Sequence, residues 1–217
     1  MRRIFLAVCI TFASASLAEA QIIRAPGGDP PILLYTSIGL LQAETIVDGS
    51  TGSAWNFGSA MQIRASLETR ISQGASLGIS VARASVPLRY FLISQTALPE
   101  TSCSCNASTN LTTVAVSFTA GGGYGFHQIL NLGVGMNVFD DFREDGTGRL
   151  LAPTSGDKDF YLSFGYGVGF GLSEHFSIVL VQDYGVILHQ RTGLSGDQDS
   201  YHQLLALRLG FRFAIGK

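Results

Sequence analysis

Along most of the chain between residues 32 and 213, segments alternate apolar with small or polar residues. This period of two puts successive side chains on opposite faces of a strand. In Ser59 to Glu68, Met61, Ile63, Ala65 and Leu67 alternate with Gln62, Arg64, Ser66 and Glu68. Between Leu111 and Phe126, Val114, Val116, Phe118, Ala120, Tyr124 and Phe126 oppose Ala115, Ser117, Thr119, Gly121, Gly123 and Gly125. Phe160, Leu162, Phe164, Tyr166, Val168 and Phe170 oppose Tyr161, Ser163, Gly165, Gly167 and Gly169, and Leu205, Leu207, Leu209, Phe211 and Phe213 oppose Ala206, Arg208, Gly210 and Arg212. One face suits lipid. The segments approach the 9–11 residues of a tilted membrane strand and carry more glycine than a soluble sandwich uses.

The pattern predicts an all-β fold, a transmembrane antiparallel up-and-down β-barrel of eight strands near 32–43, 57–68, 75–90, 111–125, 131–142, 159–171, 176–188 and 201–213. The intervening segments alternate in length. Those at 44–56, 91–110, 143–158 and 189–200 are long and polar, and those at 69–74, 126–130 and 172–175 are short. Outer-membrane barrels have long outside loops and short periplasmic turns, so both termini are expected in the periplasm. Tyr124, Phe126, Phe170, Phe176, Phe211 and Phe213 fall at the expected periplasmic rim. Tyr90, Phe91, Phe142, Phe160 and Tyr201 fall at the outer one, as aromatic girdles would.

The third strand fits least well. Leu77, Ile79 and Val81 share a parity that would put Arg83 in lipid, at about 2–4 kcal/mol if at the midplane. A bulge near Ala82-Arg83 would restore the phase and turn Ala84, Val86, Leu88 and Tyr90 outward, and Pro87 also marks an irregularity.

The first twenty residues read as a cleaved signal peptide. Arg2 and Arg3 precede an apolar stretch from Ile4 to Leu17, and Ala18-Glu19-Ala20 has the small-x-small form of a cleavage site. Residues 21–31 are then a periplasmic N-terminal segment, and 32–217 the barrel. After residue 20 no run approaches the roughly 20 apolar residues of a membrane helix, despite a mean hydropathy of +0.28. With 14 Lys+Arg against 16 Asp+Glu, the formal net charge is −2. Losing Arg2, Arg3 and Glu19 leaves 12 and 15, a net charge of −3. No basic patch stands out to hold a nucleic-acid backbone.

Strand-turn-strand runs such as Phe164-Gly165-Tyr166-Gly167-Val168-Gly169-Phe170-Gly171-Leu172-Ser173-Glu174-His175-Phe176-Ser177-Ile178, and the closing Leu207-Arg208-Leu209-Gly210-Phe211-Arg212-Phe213, resemble the eight-stranded outer-membrane barrel family, which contains the OmpA transmembrane domain and OmpX-like proteins. The resemblance covers about residues 30–213. It implies residence in the outer membrane and insertion by the assembly machinery there. Family chains commonly end on the aromatic of the last strand, whereas Ala214-Ile215-Gly216-Lys217 follow Phe213 here.

An eight-stranded barrel is just wide enough to be filled by side chains. Arg64, Glu68, Arg208 and Arg212 point inward from strands two and eight, and Asp183 from strand seven, towards the region of Ala206 and Arg208. Buried charges require partners, so these five are expected to form an internal ion-pair network. It either stabilises a closed lumen or gates a narrow solute path. No cofactor or metal is expected.

Cys103 and Cys105 lie in a polar loop outside the reducing cytosol. They could be a disulfide, part of a soft-metal site or two free thiols, and a loop disulfide is the expectation. His127 and His175 are placed in periplasmic turns. His189 and His202 flank the fourth loop, within reach of Asp197, Asp199 and Ser200, the one grouping from which a lipid-modifying enzyme could be built. Asp140, Asp141, Arg143, Glu144, Asp145, Arg149, Asp157, Lys158 and Asp159 read as a solvated, charged third loop. The resulting expectation is a monomeric, non-enzymatic outer-membrane barrel that meets lipid and lipopolysaccharide. It would contribute to envelope structure or surface interaction through its loops. A narrow channel and a lipid-A-modifying enzyme are the alternatives.

Overall fold

The computed structural model describes residues 32–48, 52–72, 74–92, 103–152, 157–173, 175–189 and 201–215. The expected signal peptide at 1–20 and the segment 21–31 lie outside the described residues. Eight long strands form the wall: β1 Ile32–Ala43, β2 Ala60–Ser72, β3 Ala75–Leu92, β4 Cys105–Ala120, β5 Gly125–Phe139, β6 Asp157–Ser173, β7 Phe176–Leu188 and β8 Tyr201–Ile215. Each pairs antiparallel with its sequence neighbours, and β8 pairs with β1, from Ile215 opposite Ile32 to Leu204 opposite Ala43. Closure gives every strand a partner on both sides, so backbone groups in the wall meet their hydrogen-bonding needs without water. Alternation then decides the faces. Ile38, Ile63, Ile79, Val116, Val134, Phe164, Leu180 and Leu209 stand outward and exposed, whereas Ser37, Arg64, Ser80, Ser117, Asn131, Ser163, Asp183 and Arg208 are buried inside.

The periplasmic connections are short, at 73–74, 121–124 and 174–175. The second lies five residues earlier than the sequence pattern places it. β4 spans 105–120 rather than 111–125, and Gly121, Gly122 and Gly123 take φ values of +99°, +140° and +143°. Only glycine adopts such values freely, so the three-glycine run turns the chain where alternation alone would continue the strand.

The expected bulge in β3 is absent. Its register with β4 runs unbroken from Ala75 opposite Ala120 to Tyr90 opposite Cys105. Arg83 faces outward at the upper margin of the apolar belt, its side chain 65% exposed and 3.6 Å from Asp140. Ala84, Val86, Leu88 and Tyr90 point inward and are buried. The strand keeps its phase while its surroundings change. Below Ala82 the outer face meets lipid, whereas above it the outer face meets water and the inner face becomes an apolar core. Pro87 falls where β2 leaves the ladder after Gln62–Ala84 and a new partner begins at Phe57–Leu88, so its missing N–H costs no wall hydrogen bond.

That new partner is Ser53–Phe57, which also pairs with Ile46–Asp48. On the far side, Phe142–Glu144 pairs with the top of β4 and with Leu150–Leu151. Segments expected to be polar loops therefore extend the wall above the membrane. They enclose Ile46, Trp55, Val86, Tyr90, Leu111, Phe139, Phe142 and Leu151. Trp55 is central, its ring centroid 4.4 Å from that of Phe142 and 5.9 Å from that of Phe139. Tyr90 and Phe142, assigned above to the outer girdle, thus belong to this cap core.

Candidate functional site

All five inward charged residues lie inside the barrel, in two layers. In the middle layer both Nε and Nη2 of Arg208 donate to the Asp183 carboxylate, and Nη1 donates to the Tyr35 hydroxyl. Arg64, from the opposite wall, approaches the same carboxylate at 3.8 Å and donates to Ser80 Oγ at 3.1 Å and Asn131 Oδ1 at 3.4 Å. Two guanidinium groups share one carboxylate. In the lower layer Glu68 accepts from Ser66, Ser76 and Thr119 and lies 3.4 Å from Arg212, whose Nη1 donates to the Gly121 carbonyl across the barrel at 3.0 Å. Asn131 links the layers by donating to Thr119 at 2.8 Å.

Glycines make room for these long side chains. A Cβ at Gly165 would stand 2.2 Å from Asp183 Oδ1, one at Gly133 2.4 Å from Ser163 Oγ, and one at Gly169 2.3 Å from His127 Nε2. His127 therefore projects inward from β5, because the turn lies upstream of its expected position; His175 is in a turn. Cavities of about 10 Å³ beside Arg64 and about 20 Å³ beside Glu68 remain, each with space for about one water molecule.

A second polar cluster sits under the cap. His189, just past the end of β7, has Nδ1 2.9 and 3.0 Å from the two oxygens of Asp159 and 3.2 Å from Asp157 Oδ2. Its Nε2 faces Asp48 Oδ1 at 3.7 Å. The side chains of His189 and Asp159 are each 1% exposed. Burial by itself would lower the imidazole pKa, but the hydrogen bond to Asp159, the nearby Asp48 carboxylate and the charges of Asp159 and Asp157 prevail, raising it to about 9. The Trp55 ring lies 5.4 Å away and that of His202 6.4 Å.

His189 and His202 are thus brought together, while Asp197, Asp199 and Ser200 lie outside the described residues. The carboxylates that meet His189 are Asp48, Asp157 and Asp159, two of them assigned above to a solvated loop. Asp159 had left a signal, since it shares parity with the inward Tyr161 and Ser163. At the cap edge, Cys103 and Cys105 are joined sulfur to sulfur with Cα atoms 5.5 Å apart, near Glu144.

The closed wall and its apolar belt require a membrane around them, and a single-chain eight-stranded barrel is an architecture of bacterial outer membranes. Among solved structures the chain is similar to Neisserial surface protein A, with a TM-score of 0.53 at 11% identity, covering 85% of this chain and 97% of that one. The chain has the eight-stranded outer-membrane barrel fold. Weaker likenesses to the barrel are Ail of Yersinia pestis (TM-score 0.44, 14% identity, 84% and 99% covered) and OprG of Pseudomonas aeruginosa (0.46, 11%, 88% and 99%). No protein-family model and no curated protein matches the sequence.

Proposed function

We propose that this barrel is a non-enzymatic, monomeric component of the outer membrane that supports the envelope and meets its surroundings through its outer cap. The observation that carries this reading is the cross-barrel packing: Arg64, Asp183 and Arg208 bridge opposite walls in one layer, and Glu68, Arg212 and Gly121 in the next. A solute would have to break both layers, each held by charge-assisted hydrogen bonds. A surface role is supported by the cap and by an open polar groove of about 360 Å³ on the outer wall, lined by Ser85, Asn110, Asp140, Asp141 and Arg143. The groove lies beside Arg83, at the height where lipopolysaccharide headgroups would meet the barrel. Its insertion would be the task of the outer-membrane assembly machinery.

Conductance in planar bilayers tests this, using protein purified from membranes and shown to be folded by a heat-dependent gel shift. Silence is the expected result. Reproducible discrete steps that change on altering Arg64 or Glu68 would replace this reading with a narrow channel. A mass shift of lipopolysaccharide incubated with the protein, lost on substitution of His189 or His202, would replace it with an enzyme.

A further inference from the structure

We propose that Asp157, Asp159 and His189 form a binding site for a divalent ion of the zinc class beneath the cap, with Asp48 orienting the imidazole from its other side. One donor atom from each of the three residues lies within 4.8 Å of the others. His189 Nδ1 stands 3.2 Å from Asp157 Oδ2 and 2.9 Å from Asp159 Oδ1. Donors bound tetrahedrally to a common zinc ion at about 2.0–2.2 Å stand roughly 3.4 Å apart, so little movement is needed to admit one.

Independent support comes from the other ring nitrogen. Nε2 of the buried His189 makes no hydrogen bond among the described residues, yet it faces the buried Asp48 carboxylate at 3.7 Å. A metal-ligating imidazole characteristically directs its second N–H at a carboxylate, which fixes the tautomer and ring plane. With an ion on Nδ1, the proton resides on Nε2 and points at Asp48. Charge favours the same occupant, because the carboxylates of Asp157 and Asp159 both face the one Nδ1 atom, and a divalent cation there would offset their two negative charges.

Ligand chemistry narrows the ion. An imidazole with two carboxylates suits zinc and its transition-metal neighbours, whereas calcium and magnesium favour all-oxygen sets. Asp157, 31% exposed, gives the site an edge open to water, through which the ion can enter. Two protein carboxylates and one imidazole leave a coordination position for water or for a ligand from outside.

The test is calorimetric titration of Zn²⁺ into untagged, folded, chelator-treated protein in detergent. The expected result is saturable binding of one ion per chain. It should be abolished by His189→Gln and by Asp157→Asn, and weakened about 10- to 100-fold by Asp48→Asn. A Cys103→Ser/Cys105→Ser double variant removes the sulfur donors of the separate group beside Glu144 and should keep the site. Asp157 is partly exposed, so its variant should pass the heat-dependent gel shift. Should it misfold, Co²⁺ added to the wild-type protein supplies the second measurement, with visible absorption displaced by one equivalent of Zn²⁺ expected. Absence of stoichiometric Zn²⁺ binding, Zn²⁺ binding that persists in the folded Asp157→Asn or His189→Gln protein, or no displaceable Co²⁺ absorption would overturn the proposal.

Discussion

His189 and Asp159 are thirty residues apart in the chain, yet the imidazole Nδ1 lies 2.9 Å from the carboxylate, both wholly buried under the cap. In chelator-treated protein this pairing makes His189 a titrating group with a pKa of about 9, above its ordinary 6.5. The imidazolium therefore stabilises the fold fully below about pH 6.5, and this stabilisation disappears as the pH rises through 9, amounting to about 3 kcal/mol in the buried limit. Trp55, the single tryptophan, lies 5.4 Å away and reports the change. Its fluorescence should titrate near pH 9, and His189→Gln should remove that transition. A flat profile between pH 7 and 10 in the wild-type protein would contradict this assignment.

Asp183 is the carboxylate on which both Arg64 and Arg208 depend. Asp183→Asn would leave two buried cations without it, and a loss of about 3–5 kcal/mol is expected in urea unfolding from lipid vesicles. Adding Arg64→Met to that variant should recover part of the loss, since the shorter apolar chain removes one uncompensated charge.

Gly121 turns the chain at φ +99°, and a Cβ there would stand 1.9 Å from the Gln128 carbonyl oxygen. Gly121→Ala should cost about 1–3 kcal/mol in the same unfolding measurement, through backbone strain and that contact. The same substitution at Gly123, where nothing lies within 4 Å, carries only the strain and should cost less.

Phe164 faces lipid in the middle of β6, whereas Arg83 stands at the upper margin of the belt. Phe164→Arg should destabilise the inserted barrel by about 2–4 kcal/mol, whereas Arg83→Ala should change it by less than about 1 kcal/mol, because its ion pair with Asp140 is solvated. Comparable effects at the two positions would mean that the belt is misplaced.

Much of the wall is written in the sequence because one rule governs it. Every second residue faces lipid, so Phe160 to Phe170 or Leu205 to Phe213 can be assigned to faces without knowing any neighbour. The same regularity hid the turn after β4. Four residues separate Ala120 from Gly125, an even number, so alternation passes through Gly121–Tyr124 without a break and the strand reads as longer than it is.

Arg83 shows a different limit. Its parity is correct in the sequence, but parity does not say where lipid ends, and the height of the belt is defined only when eight strands stand side by side. Once they do, Ala84, Val86, Leu88 and Tyr90 become the lining of a cap core, and no bulge is required. Asp159 follows the same logic: its inward direction was readable, but not its partners.

The sequence by itself thus determined a closed eight-stranded barrel, its inward and outward faces, and which charges enter the lumen, because these follow from local alternation and the length of each segment. Tertiary structure alone decided which charges meet under the cap. Asp48 arrives from the loop after β1, Asp157 and Asp159 from the start of β6, and His189 from the end of β7. Only closure of the wall and folding of the first loop back onto β3 bring those distant segments to one height, where burial gives each carboxylate a reason to find the imidazole.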